Sequence, residues 1–391
     1  MTDTSCNTIS VVDSINDSDT ETWSQWSAEN AIFMQPEFLS ALEASQSVSP
    51  ATGWQSNHLA IYQGQQLQAF MPMFIKNHSY GEYMFDWQWA NGFHRAGLQY
   101  YPKAVNAVPF TPVSSARLLS SDGNGDHYQA IVDYVQQQDV SNFQCLYTTK
   151  EESEHWRAAG ALIRHGYQFS WYNKNYQDFD HFLAQLRSSY RKKIRRERRQ
   201  IATSRLHIKR FYGAEITPEV WHFFIICYKR TYLKRSGHEG YLNQAFFNLI
   251  RKTMTDNLLV IIAEYDGEPI AASLCFVAGD TLYGRYWGTL HELDGLHFEV
   301  CYYQGIEFCI EQGLQCYHPG TQGEYKRRRG FIPEYTYGAY IFNTANIRPA
   351  IEDYLQHEFR GIQYQMDDWN QSSPYKVDNS KVDNSQVDNS K

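Results

Sequence analysis

The chain has 391 residues, 42% of them hydrophobic and 16% aromatic, with a formal net charge of −8. That is enough apolar surface for two domains with real cores, and the acidic balance argues against a general nucleic-acid binder without excluding a local basic site. Seven cysteines, an odd number with no Cys-x-x-Cys spacing, point to reduced thiols in a cytoplasmic protein.

Residues 1–22 are acidic and polar and lack the basic start and apolar block of a signal peptide. They are expected to be a flexible N-terminus, ahead of a first domain over 23–176, a second over 177–368 and a disordered tail over 369–391. No apolar run approaches the roughly 20 residues of a membrane helix, so no integral membrane segment is expected. Residues 60–69, AIYQGQQLQA, read as a hairpin turning at Gln63-Gly64. GEYMFDWQWA then reads as an aromatic strand, DHYQAIVDYVQQQ as a helix, FQCLYTT as a strand, EESEHWRAAGALIRHG as a helix and YQFSWYN as a strand. Around Gly81 the stretch FIKNHSYGEYMFDWQWA gathers Lys76, His78, Ser79, Glu82, Asp86 and Trp87. It is either a binding wall or an irregular loop leading into a core strand. The prolines of YYPKAVNAVPFTPV stiffen a loop suited to wall a cleft between the halves.

The second half opens on a helix over Asp178–Ile201 with an apolar stripe at Leu183, Leu186, Tyr190, Ile194 and Ile201. Eight of the thirteen residues from Arg187 to Arg199 are Lys or Arg. Such a face calls for a nucleotide pyrophosphate, a phosphopantetheine-bearing cofactor or protein, transfer RNA or an anionic lipid surface, or else is solvated and paired with the protein's own carboxylates. Residues 263–272, AEYDGEPIAA, repeat the first hairpin: Ala, Tyr, Gly and the final Ala coincide. Any two hairpins look alike, but the elements that follow each match approximately, so the expectation is a duplicated α/β unit with a mixed, mostly antiparallel sheet in each half. TLYGRYWG reads as a strand with Tyr283, Arg285 and Trp287 on one face. Residues 297–313 read as a helix whose Glu299, Tyr302 and Tyr303 share a face. A short strand near Cys316–Tyr317 leads to a loop bearing Gln322, Glu324, Lys326 and Arg329, closed by Gly330. A final helix is expected from Ile347 to about His357.

HELDGLH holds two histidines six apart, not the one-turn spacing of a zinc helix, so no metal site is expected. No Gly-x-Ser-x-Gly, Walker or Gly-x-Gly-x-x-Gly pattern occurs, which sets aside serine hydrolases, P-loop NTPases and dinucleotide oxidoreductases.

Taken together, KNHSYGEYMFDWQWA, YYPKAVNAVPFTPV, SSYRKKIRRERRQ, LYGRYWG with LHFEVCYYQGIEFCIEQGL, and GTQGEYKRRRGF resemble the FemAB-like group of N-acyltransferases in the GNAT superfamily, associated with peptidoglycan biosynthesis or recognition. The resemblance covers about residues 30–350 and implies two tandem GNAT-like domains, an α/β (α+β) fold. Neither a long heptad arm nor the Arg/Gln-x-x-Gly-x-Gly/Ala loop is present; KRRRGF offers part of the latter. The implied activity moves an acyl or aminoacyl group from an activated donor to an amine. The co-substrate would be acyl-CoA, acyl-carrier protein or aminoacyl-tRNA, with no tightly bound cofactor.

For that chemistry Glu299 and Glu324, with His297 behind them, are the expected bases, and Lys326 or Tyr303 would assist the oxyanion. Arg191, Lys192, Arg195 and Arg196 would hold donor phosphates. Substrate contacts are expected from Lys76, His78, Ser79, Glu82, Asp86, Trp87, Tyr283, Arg285, Trp287, Gln322 and Arg329. A non-catalytic GNAT-like protein recognising a peptidoglycan-type, peptide or carrier ligand is the competing expectation. A cleft without a carboxylate would favour it. An RNA-binding factor working through the basic helix is the third.

Overall fold

The computed structural model describes residues 7–121, 126–321 and 323–376. In chain order its strands are β1 (Asn7–Val12), β2 (Gln55–Ser56), β3 (His58–Gln63), β4 (Gln66–Met71), β5 (Phe74–Lys76), β6 (Lys103–Asn106), β7 (Leu119–Ser120), β8 (Asn142–Thr148) and β9 (Leu162–Tyr172). There follow β10 (Leu206–Tyr212), β11 (Leu258–Tyr265), β12 (Glu268–Ala278), β13 (Thr281–Thr289), β14 (Cys316–His318) and β15 (Ile332–Phe342). They form a four-stranded sheet, β1-β3-β4-β7, and an eleven-stranded sheet, β10-β11-β12-β13-β14-β9-β15-β8-β6-β5-β2.

Both hairpins form where the turn residues place them, β3 with β4 and β11 with β12, each antiparallel. The duplication goes further. In each half one antiparallel pair, β5–β6 or β12–β13, leads into one parallel pair, β6–β8 or β13–β14. A parallel pair needs a crossover, supplied by the helix Asp126–Gln136 in the first half and by residues 296–312 in the second. Phe143 and Trp156 anchor the first half's core, and Trp171, Phe182, Leu259 and Tyr317 anchor the second's beneath the basic helix. A third cluster, with Phe33, Phe38, Phe246 and Phe276 in edge-to-face contact, ties the N-terminal helices to the second half.

Several expectations need correction. GEYMFDWQWA is not a strand: it turns and then enters the helix Trp87–Arg95, whose buried Trp89 and Phe93 are one helical turn apart. EESEHWRAAGALIRHG is a helix only to Ala158. Gly160 takes a left-handed φ of +93°, and β9 begins at Leu162. The basic segment is two helices, Phe179–Gln185 and Ser188–Ala202, broken at the extended Leu186. Residues 7–22 are not a flexible end. β1 pairs along β3, and Ile15 is buried. The last helix runs from Arg348 to Gln371 and buries Met366 and Trp369, so residues 369–376 belong to the fold. The VDNS repeats, from residue 377 on, lie outside the described residues. Most consequential is β15, in a stretch between Gly330 and Ile347 for which no element is expected. It lies between β9 and β8, placing a strand from the segment assigned to the second domain within the sheet of the first.

Candidate active site

β13 and β14 pair only from Thr281–Tyr283 to Cys316–His318. Beyond Tyr283 the two chains diverge, and the backbone from Gly284 to Trp287 borders a cavity of about 630 Å³. The helix Pro218–Ser236 forms one wall with Tyr228, Thr231, Tyr232 and Arg235; the first half contributes Tyr83, Phe85 and Phe110. Gly288 lets that helix come close. A Cβ there would lie 1.8 Å from the Cys227 carbonyl oxygen. Thr231 Oγ1 donates to the Trp287 carbonyl at 2.8 Å, fastening helix to strand.

Two local irregularities set the lining. A register shift between Leu274 and Cys275 inserts one residue of β13, which reverses the alternation of side chains beyond it. Tyr283, Arg285 and Trp287 therefore do not share a face. Tyr283 packs on Phe33 and donates to the Asn30 carbonyl, while Trp287 packs beside His297. Arg285 lines the cavity, donates to the Phe110 carbonyl at 2.8 Å, and has an unpartnered buried Nε. The second irregularity is a π turn over Glu299–Tyr303, a device frequent at functional sites. Its wider turn separates the three residues expected on one face. Tyr302 faces the cavity, its hydroxyl 3.3 Å from that of Tyr325. Glu299 and Tyr303 face the basic helix: Glu299 pairs with Arg198 at 3.2 Å, and Tyr303 donates to Glu197.

Of the expected catalytic groups, His297 and Lys326 line the cavity. Lys326 is 1% exposed and donates to the Gly320 carbonyl, and burial pushes its pKa down to about 7. Burial, then the charges of Arg235, Lys326 and Arg329, push His297 down to about 4, so it is neutral at neutral pH. Glu324 is exposed and lines a separate cavity of about 510 Å³ with Tyr190, Arg327 and Arg328; Tyr325 borders both spaces. Arg329 is buried against Glu197 at 2.9 Å and over the Phe298 ring. Gln322 lies outside the described residues. Among the described residues lining the main cavity there is no carboxylate.

The residues expected in the first half do not line the cavity. Lys76, Ser79, Glu82 and Asp86 are buried in a polar network centred on Lys103. The Lys103 ammonium donates to Ser79 at 2.8 Å, Glu82 at 2.7 Å and Asp86 at 2.6 Å. Lys76 lies over the Trp54 ring, 3.4 Å from its centroid, and burial drives it down to about 7. Burial raises Glu82 to about 7. His78 contacts the Thr52 carbonyl on the surface, and Trp87 is 38% exposed beside Tyr80. On the basic helix Lys192, Arg195 and Arg196 are exposed and Arg191 half-buried; Arg195 pairs with Asp180 at 2.8 Å. None of the four lines the main cavity.

The hydroxyl-rich wall was missed although its signal is present. Tyr228, Thr231, Tyr232 and Arg235 recur at i, i+3, i+4 and i+7, a polar stripe on a helix. Among the described residues no group of three His, Cys, Asp or Glu is placed to hold a metal ion, and no helix is long and apolar enough to cross a membrane.

The fold is similar to that in a crystal structure of FemX, with 11% identity and a TM-score of 0.51 over 85% of this chain and 98% of that one. It is also similar to L-PGS from Bacillus licheniformis, with 9% identity and a TM-score of 0.53 over 87% of this chain and 96% of that one. At such identities the likeness concerns the fold. No curated protein sequence matches. The sequence pattern of the FemAB-like family, described as peptidoglycan biosynthesis/recognition, extends over residues 14–377. The chain thus holds two hairpin-led units with matching parallel crossovers, and it belongs to the FemAB-like family.

Proposed function

We propose that the cavity beside β13 is where an acyl or aminoacyl group passes from an activated donor to an amine. The observation that carries this reading is Lys326. It is a buried lysine with no carboxylate partner among the described residues, set where two strands separate, in a member of the FemAB-like family. A buried, unpaired cation costs stability and is useful where negative charge develops. Lys326 in its protonated form and the backbone of the free β13 edge supply donors for a tetrahedral oxyanion. Arg285 and Arg235 suit a phosphate or carboxylate on either substrate, and the tyrosines suit a flat or sugar-like body. Attack forms the amide C–N bond and breaks the acyl C–O or C–S bond, releasing an alcohol or thiol. The basic helix, outside the cavity, would serve an extended anionic donor such as transfer RNA or a carrier protein.

The test offers acetyl-CoA and alanyl-tRNA to the full chain with a lysine-containing peptidoglycan stem peptide, and reads the amide product by mass. Lys326→Met is expected to lose about 10²–10³-fold in kcat. The lack of a carboxylate among the described residues of the cavity lining favours a second reading, a recognition protein. Stem-peptide binding without product from either donor would establish that one instead.

A further inference from the structure

Behind the point where β13 and β14 part lies a smaller space of about 70 Å³, room for about two water molecules. It shares Pro112, Gly284 and Gly320 with the main cavity, so the two abut across the glycines. Its walls carry Ser170 from β9, His318 from β14 and Glu334 from β15. Ser170 Oγ, fully buried, is 2.7 Å from His318 Nδ1. His318 Nε2 is 3.4 Å from Cys316 Sγ. Tyr283 stacks on the imidazole, ring centroids 5.3 Å apart. Glu334 accepts from the Tyr172 hydroxyl and is the charged group that acts on His318.

Amide formation releases a proton from the attacking amine; the described residues lining the main cavity offer it no carboxylate, and Lys326 is assigned in its protonated form to the oxyanion. His297 faces three cations there. His318 faces a carboxylate, the neighbour an imidazolium needs. We propose that the Ser170–His318 pair, backed by Glu334, takes up the amine proton through water held in the smaller space. The assignment rests on the acyl-transfer reading above. The amine N–H proton passes to water, water passes one to Ser170 Oγ, and the Ser170 hydroxyl proton moves to His318 Nδ1. This leaves an imidazolium beside Glu334. The proton returns along the same line to the departing alcohol or thiol, so none is gained or lost. The relay requires His318 to carry its resting proton on Nε2, toward Cys316, whose thiol burial keeps protonated with a pKa of about 12. Burial lowers the His318 pKa and Glu334 opposes it, so the resting imidazole is neutral at neutral pH.

Ser170, His318 and Glu334 act through water rather than by touching the substrate, so the test reads their protonation as well as rate. Nitrogen-15 NMR of the histidines in the full chain, with His318→Gln for assignment, is expected to show the Nε2–H tautomer at pH 7.5. Glu334→Gln is expected to lower the His318 titration midpoint. With whichever of acetyl-CoA or alanyl-tRNA supports transfer to the stem peptide, Ser170→Ala is expected to reduce kcat by about 10²–10⁴. KM should stay unchanged, the thermal midpoint should fall by only about 1–4 °C for the lost buried bond, and Glu334→Gln should shift the acid limb of the pH profile. A resting Nδ1–H tautomer, in which His318 donates to Ser170, overturns the proposal with or without a working substrate. So does full activity in Ser170→Ala. Absence of transfer in the unaltered protein would refute the acyl-transfer reading, while the tautomer still decides the relay.

Discussion

Replacing Lys326 by methionine should stabilise the protein at neutral pH while removing its activity. Burial displaces the lysine pKa from 10.5 to about 7, a displacement of roughly 3.5 that corresponds to about 5 kcal/mol. The folded-state pKa is depressed, so the native state binds fewer protons than the unfolded state between about pH 7 and 10.5. The lysine's contribution is therefore restored above pH 10.5 and lost as pH falls through 7. Methionine fills similar volume without that penalty and forfeits the bond to Gly320, worth about 1 kcal/mol. Allowing for relaxation, a net gain of about 2–4 kcal/mol at pH 7 is expected. At about 2.1 cal/mol/K per residue the unfolding entropy of this chain is roughly 0.8 kcal/mol/K, so the gain raises Tm by about 3–5 °C. Thermal melts of both proteins at pH 7 and pH 10 measure it, and the difference should shrink at the higher pH. A methionine variant less stable than the parent at pH 7, or a difference independent of pH, would show that Lys326 is an ordinary paired cation.

Lys103→Met should destabilise by about 3–5 kcal/mol, read by urea unfolding, because it strands the buried carboxylates of Glu82 and Asp86. Gly288→Ala forces a Cβ against the backbone of Cys227; a loss of about 1–3 kcal/mol or more is expected, and chemical denaturation measures it. Lys192→Ala with Arg196→Ala, both exposed, should leave Tm unchanged. If the basic helix holds an anionic donor, the same pair should flatten the salt dependence of alanyl-tRNA retention by roughly 0.7–0.9 for each phosphate that is no longer neutralised.

Local patterns carried much of the architecture. Both hairpins, the helix at Asp126–Gln136 and the strands β8, β13 and β14 lie where periodicity and turn residues place them. β15 was not readable because IPEYTYGAYIF carries a proline at its second position and follows a run of four cations and a glycine, all loop signals, and its partners are far off in the chain. The site was half legible. Lys326 and His297, singled out by a glycine-rich, aromatic stretch, line the candidate cavity. Glu299 and Tyr303 were misplaced because helical spacing assumes an α-turn and the chain makes a π turn there. The cluster around Lys103 shows the other limit: a dense run of chemistry-bearing residues can be a buried structural network, and only burial tells the two apart.

The position of β15 also bears on how the chain is made. During synthesis β8 and β9 emerge early, but the strand that bridges them is the last of the sheet. Until residue 342 leaves the ribosome, both present open edges, which are templates for pairing with other chains. The amino-terminal half's sheet is therefore incomplete until β15 arrives, and a fragment ending after β9 would leave β8 open on one edge and β9 open on both, and would tend to aggregate. The last strand acts as a clasp, and its arrival couples completion of the first half's sheet to synthesis of the chain as far as residue 342.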